Sequence, residues 1–353
     1  MTDSIISHDA ALVDRAPTSG LHRYWWPRAT RRGVQVTLGA LWLLDGALQL
    51  QPFMFTADFA RQVIAPAAQG QPTWIGSPLG FFVRLISQHP ALLNTGFAFV
   101  QLALGVGFLV PRLVRPAIVG SLAWSVAIWF GEGLGGLITG HASLVTGAPG
   151  AGLLYAVIAL AVWPHTDDPD SSHPAEPRIA GWFPAAWAAL WIGGALLQLL
   201  PSQRGSAALR DQVGSTDGVP LWLNGLHELA DSVLRGSGNA PFMALVILMA
   251  LVGLAGLAAR PWRTVAAAVG SLAAITFWLL GQNIGQLYSG QATDPNTGPL
   301  IVLMAFALAG TAARPSASPT ATGSPSPPPP PQPRPRLQTA RNDQWRRSPR
   351  HRS

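Results

Sequence analysis

Apolar residues in this chain fall in long runs separated by short polar breaks. Eight runs approach the roughly 20 residues that cross a bilayer: 34–52, 90–111, 116–138, 147–163, 182–200, 241–259, 264–285 and 299–313. The fourth and eighth reach that length only if Pro149 and Pro299 open helices extending a turn further. Proline suits a first turn, where its missing N–H would have no partner anyway. Two longer connections, 53–89 and 201–240, carry apolar residues at helical spacing. Phe55, Phe59, Val63 and Ile64 predict a helix lying along the membrane surface. SPLGFFVRLISQ and LNGLHELADSVLRG predict one further helix of this kind in each connection.

The pattern also repeats. GEGLGGLITGHASLVTGAP (131–149) returns as GQNIGQLYSGQATDPNTGP (281–299), displaced by 150 residues without a gap. LWLLDGALQLQP (41–52) returns as LWIGGALLQLLP (190–201), and VGSLA occurs at both 119–123 and 269–273. These matches predict an all-α, polytopic membrane bundle of about eight transmembrane helices in two tandem four-helix repeats. The predicted divisions are a polar N-terminus (1–33), a first repeat (34–163), a polar linker (164–181), a second repeat (182–313) and a tail (314–353). An even number of spans per repeat gives both halves one orientation, related by a pseudo-twofold along the membrane normal.

Composition agrees with a membrane setting. Only 11% of residues are charged and 49% are hydrophobic, whereas a soluble domain carries about 25% charged residues. Trp25, Trp26, Trp163, Trp182 and Trp262 stand at the ends of apolar runs, as an interfacial aromatic belt requires. Arg23 to Arg32, Arg112, Arg115, Arg260, Arg263 and Arg314 all fall on one side of an eight-span chain. Arginine bias makes that side cytoplasmic, so a bacterial cytoplasmic membrane with both termini inside is expected. The absence of cysteine excludes dithiol chemistry, thiolate metal sites and disulfides. The tail, with SPSPPPPPQPRPR, has no apolar stripe and predicts disorder with polyproline II character. Its basic end suits an anionic leaflet, and no nucleic-acid module is present.

Ionisable groups inside spans are costly and mark candidate chemistry. Asp45 falls near the middle of the first run and Glu132 in the outer part of the third. Either fits a proton relay or a contact to a ligand head group, and either fits structural hydrogen bonding between helices. The repeat pairs Glu132 with neutral Gln282 and Asp45 with Gly194, which points to the first half as the working one. Gly131, Gly135 and Gly140 in one hairpin, and Gly285 and Gly290 in the other, allow close helix packing or a helix break. In TDPNTGP, Asp294 and Asn296 stand where a tight turn wants them, with ligand contact as a second role. His141, with His89 and His227, lies on the predicted outer side. No His spacing builds a metal site, and HELAD (227–231) lacks the second His of a zinc helix.

Each half resembles the DoxX/DoxD-like group of four-helix membrane proteins. The likeness lies in LWLLDGALQL and in QLALGVGFLVPRLVRPAIVGSLAW (101–124), repeated as LMALVGLAGLAARPWRTVAAAVGSLAA (248–274). The basic residue that such proteins often carry in the first span is absent, with Asp45 nearby instead. The resemblance implies a quinone- or lipid-facing accessory subunit of a redox complex, with quinone as ligand and a membrane redox subunit as partner. The residues themselves leave two other readings open: a small-solute or proton-coupled transporter with its site between the halves, and a non-catalytic assembly protein. None of them fixes a reaction.

Overall fold

The computed structural model describes residues 30–164, 179–213 and 219–311, apart from the side chain of Glu132. The predicted polar N-terminus up to residue 29, most of the linker and the Pro-rich tail lie outside the described residues. The described part is all-helical: α1 (Arg31–Leu48), α2 (Thr73–Gln88), α3 (Pro90–Leu109), α4 (Val114–Glu132), α5 (Leu134–Thr139), α6 (Ala151–Ala161), α7 (Phe183–Gln198), α8 (Gly205–Val213), α9 (Leu221–Gly236), α10 (Ala240–Leu257), α11 (Trp262–Leu280) and α12 (Thr297–Gly310). No strand occurs among the described residues.

Among the described residues, four segments are long and apolar enough to cross a membrane: Pro90–Leu109, Pro111–Gly131, Ala240–Leu257 and Trp262–Leu280. The chain is therefore a membrane-embedded helical protein. Leu92, Phe99 and Val106 on α3, Val119 and Val126 on α4, and Ile247, Leu251 and Leu254 on α10 stay exposed on the surface of the bundle. Lipid tails are the solvent that such faces suit.

The other apolar runs give shorter helices. α6 has 11 residues, α12 has 14 and α7 has 16, so at 1.5 Å per residue α6 rises only about 16 Å. Beside α6, loop backbone runs into the bundle. Ser143, Leu144 and Val145 are almost fully buried although they belong to no helix. Irregular backbone at such depth is tolerated where protein covers it or a wet cavity accepts its polar groups. The predicted spans 116–138, 147–163 and 264–285 accordingly shrink to α4, α6 and α11, because Gly133, Gly150 and Gly281 end or begin helices there. The predicted surface helix from Phe55 is not continuous. Pro52–Phe55 and Ala65–Ala68 are 3-10 turns flanking a π-helical turn, Phe59–Ile64. α2 and α9 cover the other two predicted surface helices, and α8 is an element the apolar pattern did not announce.

Packing follows the small residues. α1 lies along α3, where a Cβ on Gly39 would stand 2.9 Å from Phe108 Cβ and one on Gly46 would stand 2.7 Å from Leu102 Cγ. α7 lies along α10, closed by Gly253 and by the Trp187 indole N–H, which donates to the Val252 carbonyl at 3.1 Å. α4 packs on α6 and α11 on α12, while α12 touches α1, α6 and α7. Trp42, Tyr155, Phe183, Trp187 and Trp191 fill the interior. At one end of the bundle, guanidinium groups cap helix C-termini whose carbonyls have no helical partner. Arg31 donates to Val162 O at 2.9 Å, Arg32 to Leu109 O at 2.6 Å and Arg263 to Gly256 O at 3.2 Å.

Candidate functional site

The end of the bundle away from the arginines is built by two loops that fold inward. In the first, α4 stops at Glu132, Gly133 breaks the helix and α5 runs to Gly140, which turns the chain with φ 75°. The chain then dives into the bundle. Ser143 Oγ accepts from Val145 N–H at 3.1 Å, and Ser143 O accepts from Ala148 N–H at 2.8 Å. The Trp129 indole N–H ties the loop down by donating to Pro149 O at 2.8 Å. In the second loop, α11 stops at Leu280, and Asn283, Ile284, Gly285 and Gln286 all take positive φ, from 48° to 62°. A left-handed turn costs L-residues roughly 1–2 kcal/mol each, and for a β-branched residue it is a true outlier. Such strain gathers at sites where backbone must be presented in a set direction. Gly285 accepts the turn most easily, and it also faces Pro295, whose backbone would stand 2.7 Å from a Cβ there. The Trp278 indole N–H donates to Pro295 O at 2.7 Å. Trp278→Phe should therefore lower stability by about 1 kcal/mol, the typical net worth of one hydrogen bond. The expected readout is a lower midpoint of thermal unfolding, with faster proteolytic cutting of 287–296.

The two loops interlock. Gln282 Oε1 accepts from Gly298 N–H at 3.0 Å, while its amide faces Val145 O at 3.5 Å. Gly281 lies against the Val145 carbonyl, and the Asn296 side chain would meet a Cβ on Gly147 at 2.6 Å. Each loop also reaches the opposite group of helices. Leu144 packs on Gly194 of α7, and Ser143 Oγ donates to Gln212 Oε1 of α8 at 2.8 Å. Gln51, just past α1, donates to Ala292 O at 3.1 Å.

Between the loops lies a cleft of about 540 Å³, a size suited to a small molecule. Its walls come from 133–151 and 281–296, with Val63 at one edge. Ser143, Thr146, Gln282, Asn283, Gln286, Gln291, Thr293 and Asn296 supply neutral polar groups, and glycines supply bare backbone. Among the described lining residues Asp294 is the one charged side chain, and none is a cation.

Asp294 is held by its own turn. Asn296 N–H donates to Asp294 Oδ1 at 2.6 Å, and the Thr293 hydroxyl donates to Oδ2 at 3.1 Å. The carboxyl keeps some solvent contact, but protein surrounds it on most sides. That burial pushes its pKa above the ordinary carboxylate range, against the opposing effect of the two hydrogen bonds. Tyr155 of α6 is 2% exposed. Tyr155 also stacks on Trp42, with ring centroids 4.3 Å apart. Asp45 is 2% exposed and sits in the last turn of α1, where its carbonyl accepts from Gln49 N–H, rather than in mid-span.

The structure thus brings Asp45, Gln282, Asp294 and Asn296 to one end of the bundle. Gly135 abuts the Gln71 amide, and Gly290 approaches Gln51. Gly131 ends the second long apolar segment near Leu79. The His141 side chain is exposed and lies outside the cleft wall. Glu132 ends α4, and its side chain lies outside the described residues. Tyr155 was not singled out from the sequence, because one aromatic inside AGLLYAVIALA looks like core. Its only sequence signal is that the 150-residue displacement sets it opposite Ala305. No cluster of three or more His, Asp or Glu able to hold a metal occurs among the described residues. No protein-family model, curated protein or solved structure matches the chain.

Proposed function

We propose that this protein binds a small polar solute, uncharged or cationic, in the cleft between its two inward-folded loops, as a transporter or solute-responsive membrane protein would. The observation that carries the reading is the cleft wall: among the described residues it has neutral amides, hydroxyls and bare backbone from both loops, one carboxylate and no cation. Such a wall gives an anion no counter-charge. It also lacks the broad apolar slot that a quinone ring or an acyl chain would need beside its polar end.

The layout behind this reading is two tandem repeats of four helices in a bacterial cytoplasmic membrane, with both termini inside and DoxX-like kinship in each half. Corresponding helices pack alike, α1 on α3 and α7 on α10, α4 on α6 and α11 on α12. That is what a duplicated unit should do. The cleft then opens at the outer face, opposite the arginines.

The test is thermal unfolding of the full chain in mild detergent across a panel of neutral polyols and sugars, small amines, carboxylates and a short-chain quinone. A neutral or cationic member should raise the midpoint, and Gln291→Ala, on the exposed lip of the cleft, should reduce that shift. Stabilisation by the quinone or an anion alone, or no shift across the panel, would sink the reading. The quinone outcome would restore the redox-subunit alternative.

A further inference from the structure

Resting on the cleft reading, we propose that the cleft selects an organic cation bearing N–H groups, binding a primary ammonium in preference to a quaternary one. The hydroxyl donors of its wall, and many of its backbone donors, are already engaged within the protein. Three hydroxyls line the cleft among the described residues, those of Ser143, Thr146 and Thr293. Each has one proton to donate. The Thr146 hydroxyl donates to Ser143 O at 3.2 Å, and the Thr293 hydroxyl donates to Asp294 Oδ2 at 3.1 Å. The Ser143 hydroxyl donates to Gln212 Oε1 at 2.8 Å, on a residue of α8 that does not line the cleft.

That last bond has a fixed direction. Gln212 Nε2 donates to Gln198 Oε1 at 3.1 Å and to Gln203 Oε1 at 2.8 Å, which spends both amide protons. Gln198 Nε2 donates back to Gln212 Oε1 at 2.9 Å. The other lone pair of that oxygen is left to Ser143, and an amide oxygen only accepts. Ser143 Oγ in turn accepts from Val145 N–H at 3.1 Å. Backbone donors of the wall are spent in the same way. Gly147 N–H donates to Leu144 O, Ala148 N–H to Ser143 O and Gly150 N–H to Gly147 O in the first loop. In the second, Gly281 N–H donates to Phe277 O, Gly285 N–H to Gln282 O and Asn296 N–H to Asp294 Oδ1.

Acceptors remain. A hydroxyl that has given up its proton keeps its lone pairs, and Asp294 has used two of roughly four acceptor positions on its carboxylate. The lining amides offer an oxygen along with each N–H pair, so they do not reverse the balance. The described wall is therefore rich in acceptors and poor in donors, with one negative charge and no positive one. An ammonium group is its complement, because it carries donors, a positive charge and no acceptor. A polyol brings an acceptor with every donor. A quaternary ammonium brings the charge without a donor. Each leaves acceptors of the wall unpaired once water is displaced, which costs affinity.

The experiment is a calorimetric titration of the full chain in mild detergent at neutral pH with ethanolamine, its N-methyl and N,N-dimethyl derivatives, and choline. All are singly charged cations on one skeleton, with N–H groups replaced by methyls one at a time. All are far smaller than a cleft of about 540 Å³, so size does not separate them. Affinity should fall along the series, with ethanolamine binding at least about tenfold more tightly than choline, the worth of one charge-assisted hydrogen bond. Asp294→Asn keeps an acceptor for the Asn296 N–H and should weaken ethanolamine binding by about tenfold or more. If that variant fails to fold, the wild-type series decides alone. Equal affinities along the series, undiminished ethanolamine binding by Asp294→Asn, or binding of neutral polyols and sugars with no amine overturns the selectivity and leaves the cleft reading standing. No binding of any amine, polyol or sugar removes the cleft reading and the selectivity with it.

Discussion

Gly281→Ala is expected to destabilise the folded protein by about 1–3 kcal/mol, the usual cost of forcing an extra methyl into a packed site, and to part the two loops. The argument is steric and isolates one contact. Gly281 has φ −101° and ψ −19°, a conformation that alanine adopts freely. What a Cβ meets there is the Val145 carbonyl, together with Val145 Cγ1 at 2.7 Å. Backbone cannot swing aside as a side-chain tip can. Relief therefore requires the inward loop 141–150 to move off the end of α11, and the cleft opens as it moves. Gly193→Ala is the control, because nothing stands within 4 Å of a Cβ at that position in α7. Thermal unfolding in detergent should show a clearly lower midpoint for the first variant and none for the second. The solute-induced shift should shrink in the first alone. An equal midpoint for both would mean that the two loops do not rest on each other.

The parts of this fold legible in the sequence are those that one physical pattern decides. α3, α4, α10 and α11 come from apolar runs long enough to cross lipid, bounded by Pro111 and the arginine pair 112/115 in one half and by Arg260, Pro261 and Arg263 in the other. Helix ends near the cleft were misplaced, because apolar composition continues past the point where the helix stops. Leu134, Leu137 and Ile138 extend the apolar run, but Gly133 breaks it. Ile284 extends the other run, yet it sits in a left-handed turn that its residue type disfavours. Only contacts distant in sequence, Gln282 with Gly298 and Trp278 with Pro295, account for a turn of that kind. The depth of Leu144 was equally hidden, since its partner Gly194 is 50 residues away and has no side chain to signal a contact. Asp45 was visible as an acidic residue within an apolar run, and Asp294 as a residue of the tight turn TDPNTGP. That both come to one end of the bundle was not, because nothing in a single span reveals which loop folds against its end.

The second large effect is expected at Gln282, which stands where the first hairpin carries Glu132. Gln282→Leu keeps the volume but leaves the Gly298 N–H, in the first turn of α12, without the acceptor it now has at 3.0 Å. A buried donor stripped of its partner costs about 1–3 kcal/mol, and that loss should not vary with pH. Gln282→Glu behaves differently. Its carboxylate still accepts from Gly298 N–H, and a negative charge near a helix N-terminus is favourable. The other oxygen, however, replaces an amide that faces Val145 O, and at 5% exposure the ionised group is largely desolvated. Protonation repairs both defects, because the neutral acid can donate toward Val145 O. The folded state should therefore raise the pKa of Glu at 282 above its unfolded value. Its stabilising contribution is then fully present below the unfolded value and lost as pH rises through the folded one. Thermal midpoints measured from acidic to neutral pH should bring the Glu variant close to wild type at the acidic end and leave it well below at the neutral end. The Leu variant should run parallel to wild type throughout. Parallel curves for all three would mean that the 282 side chain does not bridge the loops. A pH-dependent gap for Glu alone would place the junction between them at position 282.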